Sequence, residues 1–568
     1  MRRKGKAKSN EKGRKPFRGQ TDAREKREIR EIAEQSADRS IDQRSGDMRS
    51  RPNDWQWYAQ NPQLIKDFAN YPFGYPLGVQ IDLTDSPASG PFIVVPGVMT
   101  YYFTPTIGTA VEGENAPVNI AMRQIYSWVR HANSGHTNYD APDLMMYLLA
   151  MDSVYMYHAF LKRILALSLA YNVFNRYYPD AIIASMGVNP NDVRNNIADF
   201  RGYINTFAVK MGSMCVPNSM AYMARHAWMC EGLYFDNASP KAQTYLYSPA
   251  GFLKLNVSGN PVVTKLQLAT LPTYPMGQTL LYDSMMSVQQ LIDFGNALIN
   301  PIVANEDMNI MSGDILKAFG ESGLVKVTMI PEGVIQVPTY SREVLSQMEN
   351  AMVLGGYWTK YEVTQNTQVG GGYLESNNDF VLSRGLYAPA SAAVTLPRSN
   401  VAGLLPYSCA DRKMLNLHEN QPTPEMVMVA TRLMSSLIVT GDGQIANGAQ
   451  ELTIPVSFTT FGSEVIVDAR MIKMSTVPLS LNIPSDQIAV ATGTADFGNV
   501  ARLVCERLAN LAAFDWHHGV ITSLVRTDGL YFPGDSLNID YDMFTVVDVE
   551  NLRSMHTAAL LSEFSVPQ

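Results

Sequence analysis

Asp515-Trp516-His517-His518 sets two imidazoles beside a carboxylate, the raw material of a general base or a metal site. Neighbouring side chains point apart on most backbones, however, and no nearby Cys or His completes a ligand set. The pair therefore reads as structural or as part of an interface. His131 and His136, in the loop-like RHANSGHTNYD, have no more support. TGDGQIANG (440–448) has the glycines to cradle a phosphate, but it follows a helical pattern instead of opening one and reads as a turn. The chain has no G-x-S-x-G, H-E-x-x-H or G-x-x-x-x-G-K-S/T, so the common hydrolase, metalloprotease and P-loop signatures fail. It has no GDD triplet, and SGNPVVT (258–264) lacks the spacing of a polymerase SGxxxT motif. Cys215, Cys230, Cys409 and Cys505 are scattered without a CxxC, as small buried hydrophobes in a reducing compartment would be. No catalytic residue, metal ligand or cofactor is expected.

Charge offers a stronger argument. Residues 1–20 hold nine bases, Arg2, Arg3, Lys4, Lys6, Lys8, Lys12, Arg14, Lys15 and Arg18, against the single acid Glu11, a net of +8. Residues 21–51 are neutral, and 52–568 hold 28 bases and 44 acids, a net of −16. Such a tip has too few apolar residues to fold alone. Cations on a flexible arm neutralise phosphates and release condensed counterions without any base-specific geometry. With Phe17 as its one aromatic residue, the tip cannot hold single strands mainly by stacking. A solubilising tail or a nuclear localisation signal would have a similar composition. What favours RNA is a cationic arm in front of a large acidic body that looks assembled and carries no base-reading module.

That assembled look comes from composition. Charged residues make up 17% of the chain, below the roughly 25% of an ordinary soluble domain. Covering by other subunits would explain so poor a charged surface; a large monomer with a generous core is the alternative. At 568 residues two or three domains are expected. No apolar stretch follows the basic tip as in a secretory signal. LMMYLLAMDSVYMYHAFLKRILALSLAY (144–171) is interrupted by Asp152, His158, Lys162 and Arg163 and reads as a helix buried in protein, not as a membrane span.

Periodicity supplies the elements. TDAREKREIREIAEQSADR (21–39) is helical in pattern with only a thin apolar stripe, and 40–54 reads as a hinge. Residues 78–108 contain two short β-like runs, and 118–214 are helical almost throughout. Within 189–211, Asn189 can cap, Pro190 suits the first helical position and Asp192 favours the N-terminal dipole. Val193, Ile197, Phe200, Ile204, Phe207 and Ala208 follow at helical spacing. From 240 onward strands joined at Ser258-Gly259-Asn260 are expected, then helices at 284–300, 305–319 and 342–353 and a strand-rich block at 354–408. TPEMVMVATRLMSSLIV (423–439) reads as one helix capped by Thr423, 451–474 as paired strands, and 495–514 as a helix. The fold class is α+β: a helical body from 52–240 and 475–568, with a mixed insertion at 241–474.

One segment resembles a known family. In NDWQWYAQNPQLIKDFANYPFGYPLG (53–78), Asn53 and Asp54, Trp57 and Tyr58, Asn61 to Leu64, and Pro72, Phe73, Pro76, Leu77 and Gly78 match the segment after the basic arm of picobirnavirus capsid proteins. The resemblance implies a small icosahedral particle around double-stranded RNA, built from homodimers. It implies a predominantly helical shell domain (52–240 and 475–568) and a mixed, strand-containing projecting domain (241–474). It also implies a basic arm (1–51), disordered or partly helical, facing the lumen of the virion, with assembly in the host cytoplasm. Some members are implied to lose an N-terminal segment by self-cleavage. Asn70, before Tyr71, is a chemically possible site because an Asn side chain can attack its own carbonyl, although a single Asn there is more often a loop residue.

The reading is a self-assembling capsid protein whose arm contacts RNA. Trp55, Trp57 and Tyr58 anchor the arm at the shell, where large amphipathic rings bury area while keeping one polar edge paired. The expected partners are the chain itself and RNA, with no membrane span. The alternative is a nucleoprotein or scaffold that coats RNA without closing a shell; an enzyme of unfamiliar family is the third class.

Overall fold

The computed structural model of the protein describes residues 97–566 with breaks at 109, 135–137, 171–177, 237–241, 259–262, 274–278, 281–284, 369, 386–392, 402–411, 447–450, 474–478, 483–486, 493–510, 513, 527–535 and 539–543. It also describes residues 61 and 63, Val79–Ile81 and Phe92–Val94. The helices expected at 21–39 and over most of 495–514 lie outside the described residues. Everything below belongs to one compact unit, Tyr75–Gln568.

The architecture is α+β, and its axis is the helix Ala141–Leu169. Asp140 and Asp143 form a reciprocal capping box at its start, satisfying N–H groups that the first turn leaves open. Among the described residues this is the one helix long and apolar enough to cross a membrane, yet 94% of its most apolar window is buried inside the protein. Helices Pro117–Ala132, Ile197–Gly212, Ala221–Glu231, Val288–Val303 and Glu306–Phe319 pack around it, as do the strands Gly251–Ser258 and Val263–Thr270. A helix surrounded on every side cannot be amphipathic, which is why its sequence is apolar all round.

The 189–211 segment follows its local signals, with one interruption. The Asn189 side chain accepts from the N–H groups of Asn191 and Asp192, and Val193, Phe200, Ile204, Phe207 and Ala208 are buried. The helix breaks at Asn196, into Pro190–Asn195 and Ile197–Gly212. There the Asn196 amide donates back to the Asp192 carbonyl and carboxylate, both at 3.0 Å, and the same carboxylate accepts from Val288 N at 2.6 Å. A side chain that competes for backbone partners in this way ends a helix.

Two large sheets flank the helices. The six-stranded sheet runs in the order Tyr234–Phe235, Thr244–Pro249, Val98–Pro105, Glu464–Lys473, Leu479–Asn482, Thr279–Leu280. Val98–Pro105 is parallel to Thr244–Pro249 and antiparallel to Glu464–Lys473. The eight-stranded sheet is antiparallel and contains only residues between Gly251 and Thr460. Among the described residues of 78–108 there are three strands, Val79–Ile81, Phe92–Val94 and the fully buried Val98–Pro105.

Further expectations are corrected. The segment 475–568, expected to be helical, carries among its described residues the strands Leu479–Asn482, Gln487–Thr492, Val520–Arg526, Ser536–Asn538 and Phe544–Asp548 before the helix Val549–Phe564. Residues 423–439 are not one helix: Thr423 caps a short helix, Pro424–Ala430, and Ser435–Val439 is a strand paired with Glu451–Thr460. The Thr431 hydroxyl ends the helix by bonding to the Val427 carbonyl at 2.7 Å and to His556 Nε2 at 2.8 Å. Residues 440–448, expected as a turn, instead contain a short strand, Gly443–Ile445, paired with Val394–Leu396 and with Glu451–Thr460. Residues 451–474 are two strands, but they do not pair with each other. Glu451–Thr460 joins Tyr373–Gly385, whereas Glu464–Lys473 joins Val98–Pro105. The link Phe461-Gly462-Ser463 carries the chain from one sheet to the other. Gly462 is required there, since a Cβ would lie 2.4 Å from the Arg432 carbonyl oxygen.

The last helix, Val549–Phe564, closes the unit against Pro117–Ala132 and Ala221–Glu231. Phe564 is fully buried and stacks on Tyr222 with ring centroids 4.6 Å apart. Phe564→Ala should cost about 3–5 kcal/mol in denaturant unfolding, the usual penalty for emptying a buried aromatic site. Ile438→Ala, at a side chain 62% exposed, should stay within about 0.5 kcal/mol of wild type.

Candidate functional site

The nine bases Arg2 to Arg18, the anchor residues Trp55, Trp57 and Tyr58, and Asn70 all lie outside the described residues. So do Cys409, Cys505 and His136. His518 is fully buried with its ring edge-on to Tyr101, and His517 Nδ1 lies 2.8 Å from the His518 carbonyl oxygen. The pair is packed, not exposed for chemistry. His131 is exposed at the end of its helix. Cys215 and Cys230 are unpaired thiols, and burial pushes the Cys230 thiol up.

The densest polar arrangement was half visible in the sequence, as the charges interrupting the core helix. Asp152 is fully buried and its carboxylate lies 2.8 Å from His226 Nδ1, on Ala221–Glu231. His226 Nε2 stands 4.0 Å from Glu464, the first residue of its strand. Glu464 also takes the Arg225 guanidinium and approaches Arg432 at 3.9 Å, while Arg432 pairs with Glu563 of the last helix. Gln347 and Ser463 supply further hydrogen bonds. Three carboxylates, two guanidinium groups and one imidazole share this interior, and Asp152 and His226 hold a proton between them: burial raises the Asp152 pKa, with His226 opposing it. Burial alone would lower the His226 pKa, but the Asp152 charge and hydrogen bond outweigh it and raise it. Burial likewise opposes ionisation of Glu464, but Arg225 and Arg432 hold it down to about 2.

A carboxylate–imidazole pair could serve as a general base if a substrate reached it. Asp152, His226 and Glu464 are each sealed from solvent, so the arrangement works as a cross-link among the core helix, a neighbouring helix, a strand and the chain terminus. Among the described residues no group of His, Cys, Asp and Glu could hold a metal ion.

The other interruptions of the core helix also have local partners. Arg163, 1% exposed, donates to the carbonyls of Met229 and Gly232 at the C-terminus of Ala221–Glu231, where a cation suits the helix dipole. Lys162 pairs with Glu231. His158 stacks on Phe207, and burial, with Lys162 second, lowers its pKa to about 4. His556 is lowered to about 3 by burial and then by Arg432.

Two consequences are measurable. Glu464→Gln strands Arg225, Arg432 and His226 in the interior and should cost about 3–5 kcal/mol at neutral pH in denaturant unfolding. His158 and His556 are neutral in the fold, so their contribution is complete above their ordinary value of 6.5 and is lost as pH falls toward 4 and 3. Glu464 contributes fully above 4.5 and is lost only toward 2, while His226 contributes below 6.5 and is lost as pH rises through its raised value. The unfolding midpoint should therefore fall between pH 6.5 and 4. His158→Gln with His556→Gln should flatten that fall.

Comparison with known proteins agrees with this reading of a packed, non-catalytic interior. The family model for the picobirnavirus capsid protein matches residues 57–484. A capsid protein precursor of a human picobirnavirus (strain Human/Thailand/Hy005102/-) is 32% identical over 549 residues, covering 92% of this chain and 93% of the relative. The fold is that of the picobirnavirus capsid crystal structure, with a TM-score of 0.68 and 21% identity over 90% of this chain and 98% of that one. The chain belongs to the picobirnavirus capsid protein family: it is a structural protein of a double-stranded RNA virus, not an enzyme.

Proposed function

We propose that the chain assembles as homodimers into a small icosahedral shell in the host cytoplasm and contacts packaged RNA through its basic arm. One observation carries the RNA part. The match to the family begins at residue 57, so the +8 tip of residues 1–20 stands ahead of an acidic body of net −16. Cationic charge is concentrated at one end of the sequence, where it can neutralise phosphates, and the acidic body discourages RNA from adhering elsewhere. Arg2, Arg3, Lys4, Lys6, Lys8, Lys12, Arg14, Lys15 and Arg18 are the proposed phosphate contacts.

Residues 52–240 and 475–568 are the proposed shell domain and 241–474 the proposed projecting domain. The eight-stranded sheet, drawn only from within 241–474, supports a projecting element with its own scaffold. The six-stranded sheet takes Val98–Pro105 from the first segment and Thr244–Pro249 and Glu464–Lys473 from the other, which supports a joint at the two ends of the insertion. Trp55, Trp57 and Tyr58 are the proposed anchor of the arm.

Electron micrographs of the purified protein test assembly. Uniform isometric particles are expected, and filaments or amorphous RNA coats would instead mark a nucleoprotein. Deleting residues 1–20 should leave particles but strip most encapsidated RNA, read from the ratio of absorbance at nucleic-acid and protein wavelengths; an unchanged ratio would refute the role of the arm. If all nine bases engage phosphates, RNA binding by dissociated subunits should fall with a log–log salt slope of roughly −6 to −8. Trp55→Ala with Trp57→Ala should lower particle yield more than RNA per particle.

A further inference from the structure

A strap runs from Lys326 to Tyr340 outside any helix or sheet, and it is pinned at both ends. Val325 N bonds to the Val216 carbonyl at 3.0 Å, and Thr339 N to the Leu233 carbonyl at 3.0 Å. Ile330 N donates to the Asn205 side chain at 2.8 Å, and Arg201 pairs with Glu332 at 3.0 Å. From Gly333 to Thr339 exposure alternates with the period of a β-strand. Val334 and Gln336 are half-buried over a groove of about 510 Å³ that Trp228 and Tyr234 also line; Ile335 is 58% exposed away from it, and Val337, at the groove's rim, is 65% exposed. Met329 at 64% and Tyr340 at 57% extend the apolar outer face.

A turn at Glu332-Gly333 leads into this stretch, and the backbone N–H and C=O groups of Ile335, Gln336 and Val337 have no partner among the described residues. The strap is thus a strand edge without a sheet, carrying apolar side chains on its outer face. A bare edge of this kind is a template for pairing with another chain, and natural proteins blunt or cover it. Here it is not blunted by charge. Glu332 is the only charged residue in 327–341, and Arg201 neutralises it.

We infer that this edge is a contact between copies of the chain, with an extended segment of a second copy pairing along Ile335–Val337 over Ile335 and Val337. The inference rests on the shell reading and adds a location to it. Charge selects the occupant. Two bodies of net −16 repel over most of their surface, and a charge-poor apolar edge is where they can approach. An RNA partner would instead require bases, and the strap offers only Lys326, at its far end. The exposed apolar area is on the order of several hundred Å², part of the ~800 Å² per partner of a stable interface.

Hydrogen exchange of wild-type particles and of dissociated wild-type subunits is the direct test. The amides of Ile335–Val337 should exchange at least about tenfold more slowly in particles. In parallel, Ile335→Asp with Val337→Asp should give folded subunits with the wild-type unfolding midpoint and about a tenfold lower particle yield. Equal exchange in both states, protection already present in subunits, or wild-type particle yield from the double variant would each overturn the contact while leaving the shell reading intact. Absence of particles from the wild-type chain would overturn the shell reading and this inference with it. Should the double variant fail to fold, the exchange comparison on wild type decides alone.

Discussion

Glu464 is the constraint around which the structure closes. Its carboxylate is sealed from water, and it is tolerated there because Arg225, Arg432 and His226 surround it. Those partners come from separate parts of the chain, and through Asp152 and Glu563 the cluster reaches the core helix and the last helix. Apolar packing would tolerate small slides among these elements. A buried set of charges does not, because every displacement leaves one of them uncompensated. The cluster thus fixes how helices and sheet meet, and hydrophobic burial supplies the bulk of the stability around it.

What the sequence made legible was local. Asn189, Pro190 and Asp192 announce a helix start within four residues, and the structure has one there, because capping needs only neighbouring atoms. The core helix was readable from its apolar run, and Asp152 within it stood out as an interruption. Its partners could not be read, since His226 is 74 residues away and Glu464 lies farther still. The same limit explains the segment 423–439. Met426 to Val439 are apolar often enough to suit a helix, and only the pairing of Ser435–Val439 with Glu451–Thr460 makes the second half a strand. For 451–474 the strand type was right and the partners were wrong, because adjacency in sequence favours a hairpin and the bend at Gly462 was silent.

The candidate functional residues divide in the same way. The basic tip is legible from composition alone, since phosphate attraction depends on charge density more than on arrangement. The strap at 326–340 carries no comparable signature. Its prolines and glycine mark it as a loop, and its alternation becomes visible only once the surrounding helices define an inner and an outer side. Capsid proteins are selected for what their surfaces do in company, so a single chain read in isolation speaks more clearly about its interior than about its edges.

The three residues Phe461-Gly462-Ser463 join a strand of one sheet to a strand of the other, with Gly462 pressed against the Arg432 backbone and Glu464 immediately following. Mechanically, that leaves no slack. A displacement of the eight-stranded sheet is passed through three residues to Glu464, the carboxylate that Arg225 and Arg432 share. The eight-stranded sheet can therefore shift only as far as that short link allows.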